Sequence, residues 1–339
     1  MSAGPVDLRS DTVTRPTPEM RRAMHDAEVG DDGYGEDPSV AALEAAYAER
    51  VGKEAALFLP SGTMANQVAL RLLTRPGSRV VTGRRQHVVD YENGAGAANA
   101  GAQFHTVADD DGVLDPADVT WAIEAAAHHH PTVGLVCVEN THMPSGGRPY
   151  PLDALRALRS AAGALPVHMD GARLFNAEVA TGVPAADFSA EATTVMTCLS
   201  KGLCAPVGSL LAGDAALVAE ARGVRQRLGG GMRQAGVVAA AGLVAMRTMV
   251  ARLAEDHERA RRLAAAVADR WPDSGADPGR TPTNIVVFRH DDTAALLEHL
   301  RSAGILAGTI APGVVRLVTH HDVDDHGLDQ AVSALGRAP

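Results

Sequence analysis

Between Ala55 and Gly213 the sequence alternates short β-branched, apolar runs with longer stretches of helical spacing. Such alternation folds as a mostly parallel sheet, because each strand returns to the same edge only through a covering crossover. The runs are Ala55 to Leu59, Arg79 to Thr82, Val133 to Val138, Leu165 to Met169 and Thr193 to Leu199. Leu152 to Ala162 carries the spacing of one covering helix, and Ala65 to Leu73 that of another. In open sheets of this kind ligands bind in the crevice above the carboxyl ends of the strands, so chemistry is to be sought where each run stops.

Two of the runs stop on reactive groups. Leu165-Pro166-Val167-His168-Met169 ends at Asp170, with Gly171 to turn the chain and Arg173 close behind. Thr193 to Leu199 is followed by Ser200-Lys201-Gly202. An amine and a carboxylate at neighbouring strand ends form the pair that pyridoxal phosphate requires: a lysine to hold its aldehyde, and an aspartate to keep the pyridine nitrogen protonated. The turn Pro60-Ser61-Gly62-Thr63-Met64 between a strand and a helix start offers unpaired N–H groups to a phosphate, although it lacks the lysine and spacing of a Walker loop. His87 lies just past another strand end, placed to lie over a ring or to serve as a base. Glu139-Asn140-Thr141-His142 is a polar cluster at the end of a further strand.

The remaining segments are less pointed. Residues 7–15, DLRSDTVTR, are polar and followed by Pro16 and Pro18, which makes an extended arm with Arg9 and Ser10 toward solvent. Gly30 to Asp37 is a glycine-rich loop, and Asp37-Pro38 then caps a helix that carries Val40, Leu43 and Tyr47 on one face and ends near Gly52. The stretch from Phe104 to Val119, with Asp109, Asp110 and Asp111, reads as a solvated loop. His128-His129-His130 next to Pro131, without carboxylate partners, reads as an exposed helix end, and no metal site is expected. Gly229-Gly230-Gly231 lets the backbone approach another surface and presents Arg233 there. After about residue 250 a helix, a strand (Asn284 to Phe288), a helix (Thr293 to Ala303), a strand (Val314 to Thr319) and a last helix form a smaller α/β unit, with Arg316 inside its second strand.

A net charge of -10 argues against a nucleic-acid backbone as partner. The three cysteines, Cys137, Cys198 and Cys204, are an odd count without CxxC spacing, which suits reduced thiols of the cytoplasm. The N-terminus shows no apolar targeting segment and no stretch approaches a membrane span.

Taken together, DLRSDTVTRPT at 7–17, VGDDGYGEDP at 29–38, LPSGTMAN at 59–66, ENTH at 139–142, HMDGARLFNA at 168–177, CLSKGL at 198–203, PVGSLLAG at 206–213, GGGMRQ at 229–234 and RLVTH at 316–320 resemble the low-specificity L-threonine aldolases nearly end to end. The resemblance implies the α/β fold of type I pyridoxal-phosphate enzymes. It comprises an N-terminal arm and loop (1–35), a large cofactor domain with a mostly parallel seven-stranded sheet (36–248), and a smaller C-terminal α/β domain (249–339). It implies a lyase that splits L-threonine, L-allo-threonine and related β-hydroxy amino acids into glycine and an aldehyde. Lys201 would carry the Schiff base to pyridoxal 5′-phosphate, Asp170 would pair with the pyridinium nitrogen, and His87 would stack on the ring. Ser61, Gly62 and Thr63 would bind the phosphate, with Arg233 reaching that of a neighbouring subunit. Ser10, Arg173 and Arg316 would hold the substrate carboxylate, Arg173 also bordering the cofactor, and Tyr34 would come from the partner chain of a homotetramer built as a dimer of dimers. His87 and His142 are both candidates for the base that takes the β-hydroxyl proton. Where His-Asn is expected after Glu-Asn-Thr, this chain has His142-Met143, which removes a polar group beside the substrate. Another reaction of the same cofactor, β-elimination or transamination, needs the same Lys201 and Asp170; a transcription regulator of this fold would need a separate DNA-binding domain.

Overall fold

The computed structural model describes residues 4–339; Met1, Ser2 and Ala3 of the expected N-terminal arm lie outside the described residues. Strand β1 (Val6–Asp7) precedes β2 (Ala55–Leu59), β3 (Arg79–Gly83), β4 (Gln103–Val107), β5 (Val133–Glu139), β6 (Val167–Asp170), β7 (Thr194–Cys198) and β8 (Ser209–Gly213). All but β1 form one seven-stranded sheet in the order β2-β8-β7-β6-β5-β3-β4. Pairs from β7 through β4 are parallel, while β8 runs antiparallel to both β7 and β2. The inversion has a simple cause: the segment 199–208 between β7 and β8 is too short for a helical crossover, so the chain can only turn back. In sequence, 206–213 stands out as a motif but not as a strand.

The caps explain where the helices begin. Asp37 accepts from the N–H of Val40 and opens the helix Pro38–Val51, which Gly52 closes in the left-handed conformation. Val40, Leu43 and Tyr47 are buried as their spacing predicts. Ser61 caps the helix Gly62–Leu73 through Met64 N–H, so this helix starts three residues before the apolar pattern does. The expected solvated loop from Phe104 to Val119 is corrected by the structure. It contains most of β4 and the start of the helix Pro116–Ala125, and Asp109 is wholly buried. The physical reason is that Asp109 accepts from the backbone and guanidinium of Arg85 and faces His142, partners that replace its water.

The main core lies between the sheet and its helices and includes Leu43, Tyr47, Phe58, Val136 and Phe188. A second core gathers Leu8, Leu263, Val286, Phe288, Leu300 and Leu328. It is built on β9 (Ile285–Arg289), β10 (Ile305–Leu306), β11 (Gly308–Ala311) and β12 (Val314–Val318), with β12 antiparallel to both β11 and β9. β1 pairs in parallel with β10, and Leu8 is buried in the same core. The arm is therefore stitched to the C-terminal segment and carries residues 10–14 across the top of the large sheet, where Thr14 Oγ1 donates to the carbonyl of Lys201 at 2.9 Å. No single described helix is long and apolar enough to cross a membrane. The one pair that passes together on length and composition, Gly236–Thr248 with Leu253–Arg270, is bent by 73° at its junction; the first helix contributes buried residues to the main core and the second to both cores.

Candidate active site

Asp170 is the last residue of β6, and Lys201 follows the end of the adjacent β7, so the register of two parallel strands alone brings them to one crevice. They border a cavity of about 150 Å3 together with Ser61, Gly62, Thr63, Asn66 and His87. A second cavity of about 270 Å3 shares His87, Asp170, Ala172 and Lys201 with the first and extends to Ser10, Glu139, Arg173, Met143, Ile310 and Arg316. A wider cleft, about 620 Å3 between the arm and the last helix, contains none of these groups.

Asp170 is buried and accepts from Asn66 Nδ2 at 2.7 Å and Ala172 N–H at 3.1 Å. Burial alone would raise its carboxyl, but His87, Lys201 and the Asn66 bond outweigh that and hold it below the usual carboxylate range. The same Asn66 nitrogen donates to Glu92 Oε1 at 2.8 Å, and His87 Nδ1 lies 2.9 Å from that oxygen. Desolvation opposes the charge of His87, yet Glu92 and Asp170 prevail and raise its pKa. Glu139, also buried, accepts the N–H groups of His87 and Met143, which ties the two loops beside the crevice together. Its burial pushes its carboxyl up.

On the phosphate side the helix Gly62–Leu73 points its first turn at the small cavity. A Cβ on Gly62 would come 2.6 Å from Cys198 Sγ, so the helix start packs this closely on β7 only because residue 62 is glycine. On the opposite side Arg173 is engaged rather than open: its Nε and Nη2 donate to Asp11 at 2.8 and 2.6 Å, with Asn284 as a third donor to that carboxylate. Arg316 donates to the carbonyl of Arg9 through Nη2 at 2.8 Å, while its Nε is buried without a partner. Arg316 nevertheless borders the larger cavity, so its positive charge lies at that wall. Ser10, expected toward solvent, is half-buried at the cavity wall, whereas Arg9 is exposed.

The structure does not bring every expected residue into this crevice. His142 is wholly buried, its Nε2 3.2 Å from Asp109 Oδ2, and it borders neither cavity. Gly112 packs on it so closely that a Cβ there would lie 2.6 Å from the histidine's own Cβ. The buried Asp109 carboxylate claims the imidazole. Met143, the neighbour in sequence, lines the larger cavity in its place. Tyr34, 80% exposed, and Arg233, which pairs loosely with Asp31 at 3.8 Å, stand near each other on the surface and line neither cavity of their own chain. Asn66, Asp11 and Glu92 escaped sequence reasoning as site residues. Asn66 lies one turn into a helix whose start is itself visible, and that spacing is the signal that could have found it.

The sequence profile described as "Beta-eliminating lyase" matches residues 7–293. The chain is 42% identical to the low specificity L-threonine aldolase of Escherichia coli O157:H7 over 340 residues, covering 98% of both chains. It is 40% identical to a probable low-specificity L-threonine aldolase 2 of Arabidopsis thaliana, covering 97% of this chain and 96% of that one. Among solved structures, a Leishmania major threonine aldolase superposes with a TM-score of 0.83 at 23% identity over 98% of this chain and 99% of that chain. A Sphingomonas wittichii serine palmitoyltransferase gives 0.76 at 18% identity, over 98% of this chain and 86% of that one. At such identities the two structures speak to the fold alone, and it is the fold type I arrangement expected.

Proposed function

The chain belongs to the beta-eliminating lyase family, alongside its low-specificity L-threonine aldolases, and on that footing we propose that it cleaves L-threonine, L-allo-threonine and related L-β-hydroxy-α-amino acids, reversibly, to glycine and an aldehyde. The observation that carries this reading is the small cavity bounded by the Asp170 carboxylate, the Lys201 amine and the first turn of the helix Gly62–Leu73.

The cofactor is pyridoxal 5′-phosphate, and the donor set fits it: an amine, an ionised buried carboxylate and a helix N-terminus for a phosphate. When bound it supplies the electron sink for the electrons of the broken Cα–Cβ bond. Lys201 would hold its aldehyde. Asp170 holds the proton at the pyridine nitrogen, and the N–H groups of Gly62 and Thr63, with Ser61, hold the phosphate. Arg316 and Ser10 take the substrate carboxylate, a role supported by their both lining the larger cavity, while Arg173 is held by Asp11 at the same wall and adds positive charge. By holding the carboxylate, these groups would set the orientation of the amino acid in the crevice. His87 lines both cavities and His142 lines neither, which supports giving His87 the β-hydroxyl proton. Its raised pKa then places the acid limb of activity above the usual histidine value, with turnover rising as pH climbs through it.

The assembly is a homotetramer, a dimer of dimers with sites shared across the dimer interface. Exposed Tyr34 and Arg233 support this, as groups that reach the neighbouring subunit's crevice. The smaller C-terminal domain, with the arm stitched to it, closes over the large one. Three buried free cysteines support a reducing, cytoplasmic setting.

The test is release of glycine and acetaldehyde from L-threonine and from L-allo-threonine, with the visible absorbance of the same sample recorded. Equal amounts of both products support the aldolase. A yellow protein that yields pyruvate and ammonia, or that transfers its amino group to a keto acid, overturns it.

A further inference from the structure

Beneath the crevice the hydrogen-bond roles of five side chains interlock so tightly that they can be solved like an equation. Asn66 Nδ2 donates to both Glu92 Oε1 and Asp170 Oδ2, so its Oδ1 faces the other way, 3.0 Å from His168 Nε2. That oxygen can only accept, so His168 carries its proton on Nε2. Burial keeps this imidazole neutral by pulling its pKa down to about 4. Its Nδ1 is then a bare acceptor and takes the hydroxyl hydrogen of Thr194 at 2.8 Å. A hydroxyl at one end thus fixes the orientation of an amide that grips two carboxylates at the other.

Glu92 is wholly enclosed by donors: Asn66, Gln67 through Nε2 at 2.5 Å, and His87 Nδ1. A carboxylate has no proton to offer in its ionised form, so the shared hydrogen must sit on His87 Nδ1. One ligand atom from each of His87, Glu92 and Asp170 falls within 4.8 Å of the others.

We propose that Glu92 is a positioning residue for His87. It fixes the neutral ring as the Nδ1–H form, leaves Nε2 as the bare nitrogen that takes the β-hydroxyl proton, and is itself locked to Asp170 by the amide of Asn66. The inference rests on the reading of His87 as the proton-accepting group. In the cleavage step the β-hydroxyl O–H bond breaks, its proton passes to His87 Nε2, its electrons form the aldehyde C=O, and the Cα–Cβ bond breaks with its electron pair kept by Cα, which a proton then meets to give glycine. The imidazolium so formed is stabilised by Glu92, the logic by which a carboxylate supports a catalytic histidine elsewhere. Other charged and titratable groups facing His87 are Asp170, which favours its charge, and Lys201, which opposes it. Glu139 takes its backbone N–H and Tyr91 stacks on its ring at 5.6 Å. Of all these, Glu92 alone is bonded to a ring nitrogen.

The experiment is a pH titration of the 15N-histidine-labelled holoenzyme, with the His87 resonances identified by their absence from His87→Asn, and the pH profile of kcat/KM measured in parallel. In the wild type, neutral His87 shows its proton on Nδ1. In Glu92→Gln the ring titrates about 1–3 pH units lower, as expected for loss of an adjacent opposite charge, and the acid limb of kcat/KM moves with it. Glu92→Asp, which keeps the charge, recovers part of the shift. A neutral His87 protonated on Nε2 in the wild type overturns the proposal without any variant needing to fold, and so does an unmoved midpoint in a folded Glu92→Gln. A wild type that releases no glycine defeats the aldolase reading instead, while the tautomer and midpoint still decide the role of Glu92.

Discussion

Replacing Asp11 by alanine tests how far this site depends on a charge it never shows to solvent. Asp11 is wholly buried and takes two hydrogen bonds from Arg173, itself only 7% exposed. Desolvation would raise its carboxyl, but the guanidinium, with Lys201 and Asn284, holds it far below the usual range. Removing it strands a buried cation, and breaking such a pair costs about 3–5 kcal/mol, mostly the desolvation left uncompensated. An unfolding entropy of roughly 2.1 cal/mol/K per residue amounts to about 0.7 kcal/mol per degree for a chain of this length, so the melting temperature should fall by about 4–7 °C. Because the folded pKa is depressed, the contribution is fully present above the ordinary carboxylate value of about 4 and is lost only as pH falls below it. The loss in Asp11→Ala is therefore the same at pH 6 as at pH 8, two values chosen for the assay well above that range. Differential scanning calorimetry at those two pH values measures it, and Asp11→Ala/Arg173→Met should regain most of it by removing the stranded charge. A single variant within about 0.5 kcal/mol of wild type, the scatter of ordinary surface substitutions, or a double variant no better than the single, would refute the argument.

Three further outcomes follow from the same geometry. Gly62→Ala puts a Cβ 2.6 Å from Cys198 Sγ and 3.0 Å from Met196 Cε, and should cost about 1–3 kcal/mol of stability by overpacking; an unmoved midpoint in chemical denaturation would contradict the close packing. His142→Asn removes a buried partner of Asp109 and should cost about 1–3 kcal/mol in chemical denaturation while turnover drops no more than a few-fold; loss of turnover with stability intact would return His142 to the chemistry. Lys201→Ala and Arg233→Ala should each be impaired as homo-oligomers, the first losing activity entirely. Subunits of the two mixed and reassembled should regain activity if Arg233 serves a neighbour's site, and mixtures that stay at the level of Arg233→Ala alone would place it with its own chain.

The sequence by itself determined five of the sheet's seven strands and the crevice where the candidate site lies. β-branched runs with helical patterns between them admit few arrangements other than parallel strands under covering helices, and the crevice above the strand ends then follows. Asp170, Lys201 and His87 were legible because each sits within a few residues of a strand end, where local spacing and spatial position coincide. Only the tertiary structure decided which groups meet across long separations. Asp11 finds Arg173 because β1 pairs with β10 and lays the arm over the sheet, and Asn66 grips Glu92 and Asp170 because a helix, the end of β6 and the turn after the short helix His87–Asp90 converge. It also turned Asp109 from a solvated loop residue into the buried acceptor that claims His142. A stretch of acidic residues carries no record of its distant partners. A buried carboxylate is stable only where donors from elsewhere in the chain replace its water, and those donors are supplied by folding.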